Sequence, residues 1–351
     1  MRQVPNPEEL ATKAEYFLNK VDLNAGECEF LRLDTEAYRR SAFMDHRIQS
    51  DNQDTVHAPL EVMENIARDT QATTQPGQTN YILHTSFCCS TLISKCLDIR
   101  GICQSLREPP VLMQIANYKR ISHPYYLDGA RWQALIDTVV FLLAKSAGTN
   151  EVALIKPTNS ANNLAEEIIQ HPRTNGVLLL YSGLERFLIT IIRRNEEGRA
   201  FVRRLFNIIQ MDSERTRALP PQYIARLTDL QVAAFSWYLQ VDLYLKLLDS
   251  FPDAKIRTLD CDRFLAEPMQ TLGKLCDLFG IKAGAEVLQD VIAGPILKKH
   301  SKNNSIYDHS IRESEYEKVS KEYRTTLDTL LAWSDQIRTE GPLKLPLPQA
   351  L

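Results

Sequence analysis

Residues 80–95 read Asn-Tyr-Ile-Leu-His-Thr-Ser-Phe-Cys-Cys-Ser-Thr-Leu-Ile-Ser-Lys. The apolar run at residues 81–83 predicts a buried strand, and a short turn of small and hydroxyl-bearing residues follows it. A helix is predicted to begin at Thr91 and to end before Gly101. The free amides and the dipole at the start of a helix attract phosphate or sulfate. The stretch therefore predicts an anion-binding loop, although a buried turn without a ligand has the same pattern.

Further along the chain, short apolar runs alternate with helical patterns. Runs of this kind are typical of strands that are covered on both faces. The predicted strands are residues 81–84, 102–106, 152–156, 177–181 and 256–259. The predicted helices are residues 91–99, 131–147, 161–170, 184–209, 222–249 and 268–279. This order predicts an α/β fold, a three-layer sandwich around a central parallel sheet of about five strands.

Both ends of the chain lie outside this alternation. Residues 1–78 are predicted to be an N-terminal helical extension, with helices at residues 7–21, 34–44 and 59–68. Residues 79–305 are predicted to form the α/β domain. Residues 306–351 are predicted to form a C-terminal helix, at residues 312–338, and an extended tail.

Composition excludes several classes of function. The 351 residues carry a formal net charge of −3, which argues against general nucleic-acid binding. No apolar run is long enough to span a membrane, and the first residues lack the apolar core of a secretory signal. The seven cysteines are odd in number and show no zinc-ligand spacing, so we expect reduced thiols, no metal site and a cytoplasmic protein. The oligomeric state cannot be derived from the sequence.

Three segments, at residues 84–92, 177–190 and 259–268, follow one another in an order that resembles the sulfotransferase family. The first is similar to the family's 5′-phosphosulfate loop, a basic residue followed by Ser-Gly-(Ser/Thr)-Thr. Ser90 and Thr91 match its hydroxyl pair. The chain departs from the pattern at Phe87, which replaces the basic residue, at Cys88, which replaces serine, and at Cys89, which replaces glycine.

The second segment resembles the family's 3′-phosphate site, an arginine at a strand end and a serine eight residues later. Thr190 matches the serine, but Ser182 stands in place of the arginine. Arg186, one helical turn beyond Ser182, is a candidate for the missing charge. The third segment, Leu-Asp-Cys-Asp-Arg-Phe-Leu-Ala-Glu-Pro at residues 259–268, is similar to a structural strand-turn segment of the family.

The resemblance implies a fold like that of P-loop nucleotide hydrolases and a sulfuryl transfer from phosphoadenosine phosphosulfate to an acceptor hydroxyl or amine. A small-molecule acceptor is implied, with no metal. The cofactor-binding residues implied by the resemblance are Ser86, Phe87, Cys88, Cys89, Ser90, Thr91, Ser182, Arg186, Thr190 and, from a basic loop in a position where the family often has one, Lys298 and Lys302.

Three residues near the carboxyl ends of predicted strands are candidate catalytic residues, since ligands of parallel sheets bind at that edge. Glu108 is a candidate general base that takes the acceptor proton; a surface ion pair with Arg107 is the alternative. Lys156 is a candidate for the cation missing at Phe87, or a solvated strand end. His84 is a second candidate base, or a structural histidine.

Two other functions are compatible with the sequence. A P-loop kinase would use the same type of loop, but the loop lacks the lysine and the glycines of that motif. A nucleotide-binding relative without catalysis would account for Phe87 and Ser182, which replace basic residues of the family.

Overall fold

The N-terminal part of the chain is a small antiparallel sheet flanked by helices. The computed structural model describes residues 5–48, 50, 54–73, 78–145, 151–297, 309–337 and 343–351. The strands of this part are β1 (Tyr16–Asp22), β2 (Glu27–Arg32) and β3 (Thr55–Pro59), in the spatial order β1-β2-β3. The helices are α1 (Pro7–Thr12), α2 (Thr35–Arg40) and α3 (Leu60–Thr73). The prediction that residues 1–78 form a helical extension is therefore wrong.

The predicted helix at residues 7–21 fails because the chain becomes extended at Lys13. Helical spacing of apolar residues continues past this point, but the residues belong to β1. After β1, a carboxylate oxygen of Asp22 accepts hydrogen bonds from the amides of Asn24 and Ala25, both at 3.0 Å. Gly26 then adopts a φ of +69°. This turn pairs β1 with β2, and its Asn-Ala-Gly sequence is the signal that points to a hairpin.

Five parallel strands form the central sheet, which confirms the predicted α/β class and the number of strands. They are β4 (Thr79–His84), β5 (Cys103–Arg107), β6 (Val152–Lys156), β7 (Thr174–Tyr181) and β8 (Ile256–Asp260), in the order β5-β6-β4-β7-β8. Arg107 pairs with Lys156 and Tyr181 with Asp260, so neighbouring strands end at the same level. The sheet therefore presents one edge of carboxyl ends.

Alternate residues of the strands pack into two separate apolar cores. Leu83 and Ile155 belong to one core, whereas their neighbours Ile82 and Leu154 belong to the other. Side chains on successive strand residues point to opposite faces of a sheet. The two cores therefore lie on the two faces, and helices cover both.

The helices that follow β4 connect the strands and complete the outer layers. They are α4 (Ser90–Cys96), α5 (Pro110–Arg120), α6 (Pro124–Leu127), α7 (Gly129–Ala144), α8 (Ala165–Gln170), α9 (Leu184–Arg193), α10 (Asn195–Ile209), α11 (Glu214–Arg217), α12 (Pro221–Ala225), α13 (Asp229–Ser250), α14 (Cys261–Ala266), α15 (Pro268–Phe279), α16 (Ala285–Ala293), α17 (His309–Glu322) and α18 (Arg324–Ile337). None of the helices in the described part of the chain has both the length and the apolarity needed to cross a membrane.

Three predicted helices are divided in the structure. The helix predicted at residues 222–249 is α12 and α13, separated by residues 226–228. The predicted helix at residues 184–209 is broken at Arg194, and Asn195 has a φ of +46°. The predicted helix at residues 312–338 is divided at Tyr323 into α17 and α18. The end of the chain returns to the sheet, where the Thr258 amide donates to the Gln349 carbonyl at 3.1 Å.

Gly176 marks the closest approach of the sheet to a covering helix. A Cβ added there would lie 2.7 Å from the Leu278 carbonyl oxygen. We expect Gly176→Ala to destabilise the protein by about 1–3 kcal/mol, because backbone must move to make room. Urea unfolding measures this change. Gly273→Ala, inside α15 with no atom near the added Cβ, is the matched control and should be neutral or stabilising.

Candidate functional site

The loop between β4 and α4 has an unusual backbone. Ser86, Phe87 and Cys89 have φ values of +76°, +51° and +60°. These lie in the left-handed region, which costs a residue with a side chain about 1 kcal/mol or more. Glu108, directly after β5, also has a φ of +60°. Strain of this kind collects at functional sites more often than elsewhere, so its position at the sheet edge marks this region as a candidate site.

The start of α4 has no side-chain cap. Cys89 is the residue that precedes the helix, and its side chain accepts none of the helix amides. The first intrahelical hydrogen bond runs from the Ile93 amide to the Cys89 carbonyl, at 3.0 Å. The amides of Ser90, Thr91 and Leu92 come before this bond, and an α-helix provides no internal acceptor for them. The first turn of α4 therefore retains the anion-binding capacity predicted for the loop.

A cavity of about 570 Å³ lies beside this turn, at the carboxyl ends of β4, β5 and β6. Two residues of the N-terminal part, Phe43 and Arg47, also line it. The lining residues are Phe43, Arg47, His84, Ser86, Phe87, Ser90, Thr91, Glu108, Thr158, Asn159, Arg194, Glu197, Ala200, Phe201 and Arg204. Five residues of the predicted site, His84, Ser86, Phe87, Ser90 and Thr91, are thus brought together with Glu108.

Glu108 is held on both carboxylate oxygens. Lys156 Nζ lies 2.7 Å from Glu108 Oε1, and Arg47 Nη2 lies 3.6 Å from Glu108 Oε2. Lys156 has a side-chain exposure of 0% and does not line the cavity, so its ammonium group supports Glu108 instead of facing a ligand. This geometry does not support the predicted role of Lys156 as the cation missing at Phe87, which stays a prediction.

Both ring nitrogens of His84 are engaged. Nδ1 accepts the Ser86 amide at 3.3 Å, and Nε2 lies 3.1 Å from the Pro157 carbonyl oxygen and 3.4 Å from Lys156 Nζ. The ring thus fixes the strained loop to the end of β6. This geometry favours a structural role for His84 over the predicted role as general base.

Phe87 forms an aromatic wall of the cavity. Its ring centroid lies 4.9 Å from that of Phe201 and 5.9 Å from that of Phe187. The Arg194 guanidinium carbon lies 5.5 Å from the Phe87 centroid. Arg204, exposed on α10, lines the same cavity and forms no ion pair with a described residue. Arg47 pairs with Asp45 and Glu108, and Arg194 pairs with Glu197, so Arg204 is the arginine of this cavity whose charge no described carboxylate offsets.

Cys88 and Cys89 do not line the cavity. Burial raises the pKa of Cys88 to about 12, and its thiol lies 3.6 Å from the Leu180 carbonyl oxygen. Cys89 is half-buried at the start of α4. The predicted cofactor contacts of these two residues are not supported by their side chains, because both are turned into the protein.

The three residues predicted to hold a 3′-phosphate lie outside the cavity. Arg186 forms ion pairs with Asp262 and Glu313. The hydroxyl of Thr190 donates to the Arg186 carbonyl at 2.9 Å and lies 2.5 Å from the Tyr316 hydroxyl. Ser182 is fully buried. The predicted 3′-phosphate contacts are not supported by this geometry, since residues of α17 contact Arg186 and Thr190.

A second cavity, of about 780 Å³, adjoins the first through Asn159, which lines both. Buried amides form the wall between the second cavity and the loop: Asn159 donates to Gln240 Oε1 at 3.0 Å, and Asn162 donates to the His84 carbonyl at 3.1 Å. Asn159 follows β6 in a polar strand end, which is the sequence signal that could have identified it. The second cavity offers space for another molecule next to the first.

Two further predictions concern metals and the late basic loop. Within the described residues, Asp260, Cys261 and Asp262 form a group whose ligand atoms lie within 4.8 Å of one another. Arg186 Nε lies 2.9 Å from an oxygen of Asp262. The expectation of no metal stays a prediction. Lys298 and Lys302 lie outside the described residues.

The site therefore fits one half of phosphoadenosine phosphosulfate better than the other. The uncapped turn with Ser90 and Thr91 suits the 5′-phosphosulfate group. The residues for the 3′-phosphate are already bonded within the protein.

No protein-family model matches the chain, and no curated protein is a significant match. The fold is similar to the sulfotransferase domain from the curacin biosynthetic pathway, with a TM-score of 0.42 and 13% identity over 78% of this chain and 95% of that one.

Two further solved structures are similar to a comparable degree. The sulfotransferase domain from the Synechococcus PCC 7002 olefin synthase has a TM-score of 0.41 and 13% identity, covering 79% of this chain and 91% of that one. Sulfotransferase STF9 from Mycobacterium avium has a TM-score of 0.40 and 11% identity, covering 76% of this chain and 81% of that one. Similarity at this level assigns neither an activity nor a donor.

Proposed function

We propose that this protein transfers a sulfuryl group from a phosphosulfate donor to an acceptor hydroxyl or amine. The observation that carries the proposal is the uncapped first turn of α4 in the wall of a cavity that also contains Glu108. The turn offers amide and hydroxyl donors for an anion, and Glu108 offers a carboxylate for a proton. The resemblance of residues 84–92 to a 5′-phosphosulfate loop favours sulfate over other anions.

Each group in the cavity has a role in this reaction. Ser90, Thr91 and the first-turn amides of α4 bind the sulfonate and phosphate oxygens. The acceptor oxygen or nitrogen forms the new bond to sulfur, and the bond from sulfur to the bridging oxygen breaks with its electron pair left on the phosphate. Glu108 takes the acceptor proton. Arg47, Arg194 and Arg204 offset the negative charge that develops on the leaving phosphate.

The acceptor enters from the second cavity. Asn159 lies on the border of both cavities, so an acceptor there reaches the phosphosulfate next to Ser90 and Glu108. The walls of the second cavity carry paired charges, such as Arg120 with Asp212 and Arg215 with Asp242. Such walls favour a polar acceptor over an apolar one, since ion pairs there would have to be desolvated against an apolar surface.

We expect the double variant Ser90→Ala, Thr91→Val to lower the affinity for adenosine 5′-phosphosulfate by about tenfold or more. Hydrogen bonds to a charged group contribute about 1.5–3 kcal/mol each, and each 1.4 kcal/mol is tenfold in affinity. Titration calorimetry measures the dissociation constants. Thr329→Val, an exposed threonine on α18, is the control. Equal affinities of the double variant and the wild type would contradict the proposed donor site.

The two alternative functions give different results in simple binding assays. A P-loop kinase would be stabilised by ATP with magnesium and not by a phosphosulfate, which a thermal-shift comparison distinguishes. A non-catalytic relative would bind the donor without turning it over. The Phe87 wall favours this second alternative, since no cation stands at that point of the loop. Sulfate transfer or donor hydrolysis by the wild type would exclude it.

A further inference from the structure

The arginine face of α9 is already neutralised by carboxylates of the protein. Arg186 is paired with Asp262 on α14 and with Glu313 on α17, where its Nη1 lies 3.1 Å from Glu313 Oε2. Arg193, two turns further along α9, is paired with Glu315. Two positive charges therefore face three negative ones. A phosphate monoester brought to this face would be repelled rather than attracted.

An aromatic side chain closes the same face. Tyr316 is buried between the two arginines, and its ring centroid lies 4.5 Å from the guanidinium carbon of Arg186 and 4.7 Å from that of Arg193. Its hydroxyl lies 2.5 Å from Thr190 Oγ1. The threonine hydroxyl that matches a phosphate ligand of the sulfotransferase family is thus bonded inside the protein. No space for a ligand phosphate is left between Thr190 and Tyr316.

Helix α17 is anchored at several points besides these ion pairs. Tyr316 belongs to the main apolar core, and Val319 packs against that core. Ser320 donates to Glu185 at 3.1 Å. Arg324, the first residue of α18, is paired with the same carboxylate at 2.7 Å. A ligand that displaced α17 would have to break all of these contacts. The closed face is therefore a stable property of the fold.

The cavity beside the loop has a different charge pattern. Two of its three arginines are also paired, Arg47 with Asp45 and Arg194 with Glu197, but Arg204 forms no ion pair with a described residue. A donor with one anionic centre, at the start of α4, can use the charge of Arg204. A donor with a second phosphate directed toward α9 meets Glu313 and Glu315 instead.

We infer that the sulfuryl donor of this protein carries no 3′-phosphate, and that its only phosphate is the one bonded to the sulfuryl group, as in a nucleoside 5′-phosphosulfate. This inference rests on the proposed sulfuryl transfer and differs from what the sequence resemblance implies. Glu313, Glu315 and Tyr316 are the residues that set this selectivity. They do so by occupying the positions at which a 3′-phosphate would be recognised.

Titration calorimetry without acceptor tests the inference with two probes, adenosine 5′-phosphosulfate and 3′-phosphoadenosine 5′-phosphosulfate. We expect the wild type to bind the first probe at least as tightly as the second. The triple variant Glu313→Gln, Glu315→Gln, Tyr316→Ala removes the two repelling charges and the side chain that occupies the face, and should bind the second probe about tenfold more tightly than the wild type does, with no change for the first. Glu317→Gln, exposed on the same helix, is the matched control and should change neither affinity. Circular dichroism of each variant verifies that the fold is retained.

The possible results distinguish a failure of this inference from a failure of the proposed sulfuryl transfer. Wild-type binding that is tenfold or more in favour of the 3′-phosphorylated probe overturns the inference and leaves the proposed sulfuryl transfer standing. An unchanged affinity of the folded triple variant for that probe also overturns it, because these three side chains would then not be the cause. If neither probe binds the wild type, the proposed function fails and the inference fails with it.

Discussion

Replacing Arg107 with methionine is expected to lower the free energy of unfolding by about 3–5 kcal/mol, measured by urea denaturation. Arg107 has a side-chain exposure of 0% and is paired with Asp98, at 2.8 Å. Its guanidinium also donates to the carbonyls of Ser41, at 3.0 Å, and of Tyr38. Methionine cannot donate to these carbonyls, and it removes one of the positive charges that neutralise Asp98. Both effects occur in the protein interior, where water cannot replace the lost contacts.

The matched control is Arg100→Met, since Arg100 pairs with Glu36 at a side-chain exposure of 72%. Exposed pairs contribute about 0–1 kcal/mol, so this variant should unfold close to the wild type. Similar unfolding free energies for the two methionine variants would show that the buried guanidinium does not fasten the N-terminal part to the sheet.

Arg107 also illustrates what could not be derived from the sequence. The alternative of a surface pair between Arg107 and Glu108 is wrong, because the two side chains leave the chain in different directions. Arg107 ends β5 and enters the interior, whereas Glu108 has a φ of +60° and lines the cavity. Neither the left-handed conformation nor the partners from residues 38–41 leave a periodic signal in the sequence.

The central sheet could be predicted because its signal is local. Strands covered on both faces are short continuous apolar runs, and β4, β6, β7 and β8 each follow this pattern. The N-terminal sheet could not be predicted in the same way. Its first strand continues the helical spacing of α1, and only the turn at residues 22–26 distinguishes a hairpin from a helix.

The residues of the candidate site that follow strand ends could be predicted from the sequence. Those whose position depends on packing between distant segments could not. Ser90, Thr91 and Glu108 lie at the sheet edge, as the order of strands predicts. Arg47 enters the cavity from the N-terminal part through a contact between segments about 60 residues apart in the sequence. Arg186 and Thr190 match a motif by spacing, but α17, more than 100 residues later, covers them.

Replacing Glu108 with glutamine is expected to lower the rate of sulfate transfer by about 10²–10⁴-fold and to leave donor affinity within about threefold of the wild type. The amide has the size of the carboxylate but cannot take the acceptor proton. Turnover is measured as transfer of labelled sulfate to a panel of polar alcohols and amines, and donor affinity by calorimetry. The two measurements together separate the loss of a base from the loss of the donor site.

The pair of Glu108 with Lys156 requires a second measurement, because glutamine leaves a buried ammonium without its carboxylate. Glu108→Gln should therefore also unfold at a lower urea concentration, and rates are compared at a temperature where both proteins are folded. Glu196→Gln, exposed on α10 and paired with Arg199 at 3.1 Å, is the control and should retain wild-type turnover. If Glu108→Gln is folded, binds the donor and transfers sulfate at the wild-type rate, the proton leaves the acceptor by another route. Loss of donor binding in the same variant would instead place Glu108 in the anion site, since a carboxylate held by Lys156 and Arg47 fixes the positions of both cations.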